Sequence, residues 1–68
     1  MNPDTLTKGQ TVLFTNRFGK QFLAEFVERE ERGEMTSYIF NVQGMELRGS
    51  RRWAETNFAV YESGPADI

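Results

Sequence analysis

Three arginines fall within five residues in the run Leu47-Arg48-Gly49-Ser50-Arg51-Arg52-Trp53, beside the only tryptophan of the chain. Guanidinium forks match the geometry of phosphate and carboxylate, and a neighbouring indole can stack on a base or on another guanidinium. If Ser50 caps a helical turn, the free N–H groups of that turn add to the anion-binding character. The chemistry this points to is docking of a phosphate or an acidic peptide. Arg17 and Lys20, with Phe18 between them, extend the basic character on the loop after the first apolar run. The plainer reading stands beside it: Trp53 plugs one end of the fold, while the arginines are solvated or pair with Glu46 and Glu55.

The acidic residues Glu25, Glu28, Glu30, Glu31 and Glu34 are interrupted by Arg29 and Arg32. Paired carboxylates do acid–base work when burial drives their pKa values apart. A continuous run of mixed sign gives no sign of burial. It reads as a solvated hairpin arm or edge strand, where charge discourages edge-to-edge aggregation. The chain has no cysteine and no histidine. That removes the thiol nucleophile, the usual zinc ligands and the one side chain that normally titrates near neutral pH. Ser37, Ser50 and Ser63 therefore have no histidine to activate them, and Gly44 and Gly49 do not make a phosphate-cradling loop. The expectation is a non-enzymatic protein with no cofactor and no metal, whose net charge hardly changes between about pH 6 and 8.

These groups must be positioned by a small body. Sixty-eight residues make one domain, and a domain of that size buries only about 60% of its unfolded surface. The nine aromatic residues supply the core material, since each ring buries roughly 150–250 Å². They are Phe14, Phe18, Phe22, Phe26, Tyr38, Phe40, Trp53, Phe58 and Tyr61, and most alternate with polar residues as in a half-buried antiparallel sheet. Eight basic against 10 acidic residues give a net charge of −2, which argues against a dedicated nucleic-acid binder while leaving room for a local basic patch. No apolar run approaches the ~18–20 residues of a membrane span, and the first residues lack signal-peptide character. The expected location is the cytoplasm, with no membrane partner. So small a free-standing frame suits a mobile element or a phage.

Along the chain, residues 1–8 read as a flexible N-terminal arm and 63–68 as a flexible tail, leaving 9–62 as the ordered unit. Residues 10–16 form a strand, with a turn over 16–20 because Asn and Gly tolerate positive φ. The next run is ambiguous. With period 2, Phe22, Ala24 and Phe26 share a face. With period 3.6, Phe22, Leu23, Phe26 and Val27 make a stripe, Glu25–Arg29 and Glu28–Arg32 pair at i,i+4, and Gly33 caps the end. The strand is preferred because its neighbours are strands and the connections are short. Strands at 35–43 and 45–48 follow, then a helical turn at 51–54 and a last strand at 57–61.

Three motifs carry a resemblance: Gly9-Gln10-x-Val12, then Gly19-Lys20-x-Phe22-x-Ala24-x-Phe26, then Tyr38-x-Phe40-x-Val42-x-Gly44 followed by Glu46-x-Arg48. Together they resemble the SH3-like small β-barrels of the Tudor and KOW type, over most of residues 9–61. The resemblance implies an all-β, five-stranded SH3-like barrel with a short helical turn before the last strand; the alternative is an α+β fold with a helix at about 20–32. The spaced glycines that mark a KOW loop are not evident around 16–20. Phe18, Phe22, Phe40 and Asn41 fall near the positions that build a methyl-lysine cage in Tudor relatives. Phe is a poorer cage wall than Tyr or Trp, and no acidic partner is clearly placed.

The leading expectation is a binding module that recognises a protein partner through Arg17, Phe18, Arg48, Arg51, Arg52 and Trp53. The alternative is RNA or DNA binding through the same patch. A third is a small homo-oligomer that pairs strand edges and buries Leu13, Leu23, Val27 and Ile39. The plasmid-type dihydrofolate reductases look similar in size and fold and catalyse at a pore shared by four copies, although Val42-Gln43-Gly44 matches their characteristic strand only faintly.

Overall fold

The computed structural model describes residues 1–61; the tail expected at 63–68 lies outside them. Five antiparallel strands form one sheet: β1 (Thr11–Thr15), β2 (Gln21–Arg32), β3 (Met35–Val42), β4 (Met45–Gly49) and β5 (Phe58–Val60). The helix α1 (Arg51–Asn57) precedes β5. The strand order is β4-β3-β2-β1-β5. The expected all-β class, strand count and helix before the last strand are what folds, and α1 runs three residues beyond the turn expected at 51–54. No helix among the described residues is long and apolar enough to cross a membrane.

The sheet is not closed into a barrel. β4 and β5 remain its two edges, because the chain between them is spent on α1. That helix fills the gap with side chains instead of a ladder: Ala54 is buried in the core and Trp53 packs against it. Ser50 starts α1, its Oγ accepting from the Trp53 N–H at 3.2 Å, as the sequence suggests.

The core is aromatic. Phe40 and Phe58 stack with centroids 3.8 Å apart and planes 13° apart. Phe26 and Trp53 meet Phe40 edge-on at 5.4 and 5.8 Å. Val12, Ala24, Tyr38, Val42 and Leu6 complete the cluster. Gly49 is required beside Trp53, since a Cβ there would lie 2.3 Å from the ring.

Residues 21–32 are extended, so the helical alternative is excluded. Arg29 does not pair with Glu25, nor Arg32 with Glu28; Arg29 meets Asp4 and Glu31, and Arg32 meets Glu30. The ambiguity has a structural cause. Phe26 pairs with Phe40 and Glu28 with Ile39, so Val27 is an extra, bulged residue. A bulge inserts one residue into the period-2 pattern, which brings Phe26 and Val27 together in sequence and imitates a helical stripe. Beyond it, β2 and β3 run on as a charged hairpin. At about 3.3 Å per residue, the long β2 accounts for most of the 46 Å long axis.

The N-terminal segment departs from expectation. Pro3–Thr5 form a 3-10 turn, and Pro3 and Leu6 are buried. The arm expected to be flexible is docked, because Asn2 caps that turn and Asp4 is held by three side chains of the sheet and helix.

Candidate functional site

Two groups of polar side chains stand out, at different places on the sheet. The first is a clasp around Asp4. Its Oδ1 accepts from the Tyr38 hydroxyl at 2.6 Å and from Arg29 Nη1 at 3.0 Å. Its Oδ2 accepts from Arg51 Nη1. Arg51 also donates to Glu55 Oε2 at 2.9 Å and to Asn2 Oδ1 at 3.1 Å. One carboxylate thereby ties the N-terminal turn to β2, β3 and α1. The hydrogen bonds from Tyr38, Arg51 and Arg29 hold Asp4 down to about 2, below its usual 3.8. Burial, with the bond to Asp4, pushes the Tyr38 hydroxyl up. Glu55 and then Asp4 strengthen the hold of Arg51 on its proton.

The second group is the β1–β2 turn. Asn16 Oδ1 accepts from the Phe18 N–H at 2.8 Å and from the Lys20 N–H at 2.9 Å. Gly19 N–H closes onto the Asn16 carbonyl at 2.9 Å. The side chain of Asn16 thus imitates a backbone turn, and the tip has a fixed shape. On that tip Phe18 is 80% exposed, with the Arg17 guanidinium 5.2 Å from its ring centre. Lys20 lies 5.8 Å from the ring of Phe22. Neither Arg17 nor Lys20 has an ion-pair partner among the described residues.

The six residues singled out in the sequence separate. Trp53 packs inward on Phe40 and Phe58, as its plainer reading holds. Arg48 donates to Glu30 of the long hairpin, a partner the sequence does not suggest. Arg51 belongs to the clasp, and its bond to Glu55 is the expected one. Arg52 is exposed and has no ion-pair partner among the described residues. Arg17 and Phe18 sit together on the tip. No hydrogen bond, ion pair or ring contact joins the tip residues to Arg48, Arg51, Arg52 or Trp53 among the described residues. Adjacency between 48 and 53 misleads because a strand, a cap and a helix send successive side chains in different directions.

The positions that match a methyl-lysine cage do not gather either. Phe40 is fully buried. Phe22 packs on Phe14, with centroids 6.4 Å apart. Asn41 is spent on the β3–β4 turn, its Oδ1 accepting from the Gly44 N–H. No pocket opens among the described residues, and no cluster of acidic, histidine or cysteine side chains there is arranged to hold a metal ion. What the surface offers is a rigid aromatic–cation knob and two strand edges.

Asn2 and Asp4 have no place in the sequence-based expectation, and Tyr38, expected in the core, also turns its hydroxyl to Asp4. A signal for the turn exists in Asn2-Pro3-Asp4, an Asn cap followed by Pro at the first helical position. Comparison with known proteins finds no matching family, no matching curated protein and no matching solved structure.

Proposed function

We propose that the protein is a cytoplasmic, non-enzymatic binding module that recognises a protein partner through the β1–β2 tip, with Arg52 as a further accessible cation. The observation that carries this is Phe18, a ring 80% exposed on a turn whose shape Asn16 fixes. A large apolar side chain held out on a rigid support loses little freedom on binding and desolvates on contact, as binding hot spots do. Arg17 over its face adds a charge able to meet a carboxylate. Arg48, Arg51 and Trp53 support the site from a distance by holding the sheet and helix together. The likeness to Tudor and KOW barrels belongs to the same reading, supported by the strand order and by the short helix before β5.

The test compares pull-downs from nuclease-treated host lysate using wild type, Phe18→Ser and Arg17→Glu. The reading expects a protein partner recovered by wild type and lost with both variants. Equal recovery with all three overturns it. Nucleic acid is the second reading, favoured by Arg17 and Lys20 flanking an aromatic ring on which a base can stack. It predicts binding to labelled RNA or DNA that weakens by about 0.9 log units per log of salt for each phosphate contact to a duplex. No binding at low salt removes it.

A further inference from the structure

β4 is an unpaired edge, and its sequence is complementary to itself. Met45-Glu46-Leu47-Arg48-Gly49 has Leu47 at its centre, one acid before it and one base after it. Glu46 pairs in register with Asn41 and Arg48 with Ile39, so both project from the face opposite the aromatic core, while Leu47 lies opposite Phe40 on the core face. Gln43 at φ 57° and Gly44 at φ 82° make the two-residue β3–β4 turn a type I′ turn. Such a turn closes with a hydrogen bond between the flanking residues Val42 and Met45. Ladder groups then alternate in direction along the strand. The backbone groups of Met45, Leu47 and Gly49 face β3, and those of Glu46 and Arg48 face the open edge.

We propose that a second copy of this chain pairs with β4 about a two-fold axis at Leu47, giving a continuous ten-stranded sheet. In that register Glu46 lies opposite the second copy's Arg48, and Arg48 opposite its Glu46. These are the hydrogen-bonded pairs of the new ladder, so each exchanges two backbone bonds and matches opposite charges on one face. Leu47 meets its own counterpart on the core face. Met45, exposed in the single chain, lies opposite Gly49, whose core side is covered by the Trp53 ring. Glu46 has no cationic partner among the described residues and gains one. Arg48, already on Glu30, comes to lie between two carboxylates. The other edge, β5, has three residues and no charged one. The antiparallel axis sends the two β1–β2 tips to opposite ends of the joined sheet, so the dimer leaves both uncovered.

A five-residue edge makes a small interface, below about 1,200 Å², and such interfaces are weak. Sedimentation of the full chain across micromolar to millimolar concentrations is expected to show a monomer–dimer equilibrium that weakens with salt. Glu46→Arg alone and Arg48→Glu alone each set like charges opposite one another twice, and each is expected to weaken association about tenfold or more. Mixing the two variants restores both opposite-charge pairs in a heterodimer, and association is expected to return. Glu46→Arg leaves the Arg48–Glu30 pair intact, and circular dichroism checks that both variants fold. A wild type that stays monomeric throughout overturns the proposal and leaves β4 to a strand from another protein. A dimer that persists in both variants, or a mixture of folded variants that does not associate, overturns it equally.

Discussion

The clasp and the tip each set an asparagine and an arginine beside an aromatic ring, and they end in opposite conditions. At the clasp every charged group has a partner: Asp4 has three, and Arg51 is shared between Asp4, Asn2 and Glu55. Behind it lie Tyr38 and the Phe40–Phe58 stack, both sealed from water. At the tip the backbone is pinned by Asn16, while Phe18 is 80% exposed and neither Arg17 nor Lys20 has a carboxylate partner among the described residues. The contrast separates two tasks. Partnered groups hold a small sheet in one arrangement, and unpartnered groups on a rigid turn remain available to something else. Changes at the core and clasp are expected to alter stability, and changes at the tip to alter recognition.

The largest effect is expected from Phe40→Ala. It removes the ring that touches Phe26, Trp53 and Phe58, a truncation that costs about 3–5 kcal/mol. For a domain whose whole stability is a few kcal/mol, loss of the cooperative unfolding transition is the expected result in denaturant titration. A variant that keeps a sharp transition near the wild-type midpoint would place the core elsewhere.

Next comes Gly49→Ala. The new methyl would meet Trp53 at 2.3 Å, and that ring is backed by Phe40 and Phe58, so it has little room to retreat. Overpacking of this kind costs about 1–3 kcal/mol. Thermal denaturation and near-ultraviolet dichroism of the single indole check it together. An unchanged midpoint would show that α1 is free to move away from β4.

Asp4→Asn sharpens the comparison through pH. The carboxyl of Asp4 is lowered in the folded chain from 3.8 to about 2. A depressed folded value means that its contribution is complete above about pH 4 and is lost as pH falls toward 2. Stability measured between those limits should fall less steeply in Asp4→Asn than in wild type, while the two curves run parallel above pH 5. Curves that stay parallel down to pH 2 would remove Asp4 as the fastening of the N-terminal turn.

How much of this was legible follows from range. The sheet was readable because Val12 and Phe14, Ala24 and Phe26, and Tyr38, Phe40 and Val42 recur at every second position over short spans, and glycines mark the turns between them. Val27 obscured β2, because one bulged residue breaks a period that needs an unbroken run. The clasp was not readable. Asp4 meets residues 25, 34 and 47 positions away, and no local pattern announces such partners. The arginine run was legible in composition and misleading in space, since Arg48 reaches back to Glu30 across the sheet and Trp53 turns inward. Closure into a barrel was expected from the resemblance, and an open sheet is observed because α1 and its Trp53 occupy the gap between β4 and β5.

The smallest effect on the fold is expected at the tip. Phe18→Ser removes an exposed ring and leaves the Asn16 hydrogen bonds in place, so thermal stability should stay within about 0.5 kcal/mol of wild type. A large loss would show that Phe18 is held against the sheet and is not available for contact.

Amide hydrogen exchange on the free chain, and on the chain bound to whatever protein the wild type recovers, tests the division of tasks most directly. The account predicts added protection centred on residues 16–20, and larger there than over 50–54. Added protection over 50–54 with none at 16–20 would contradict it.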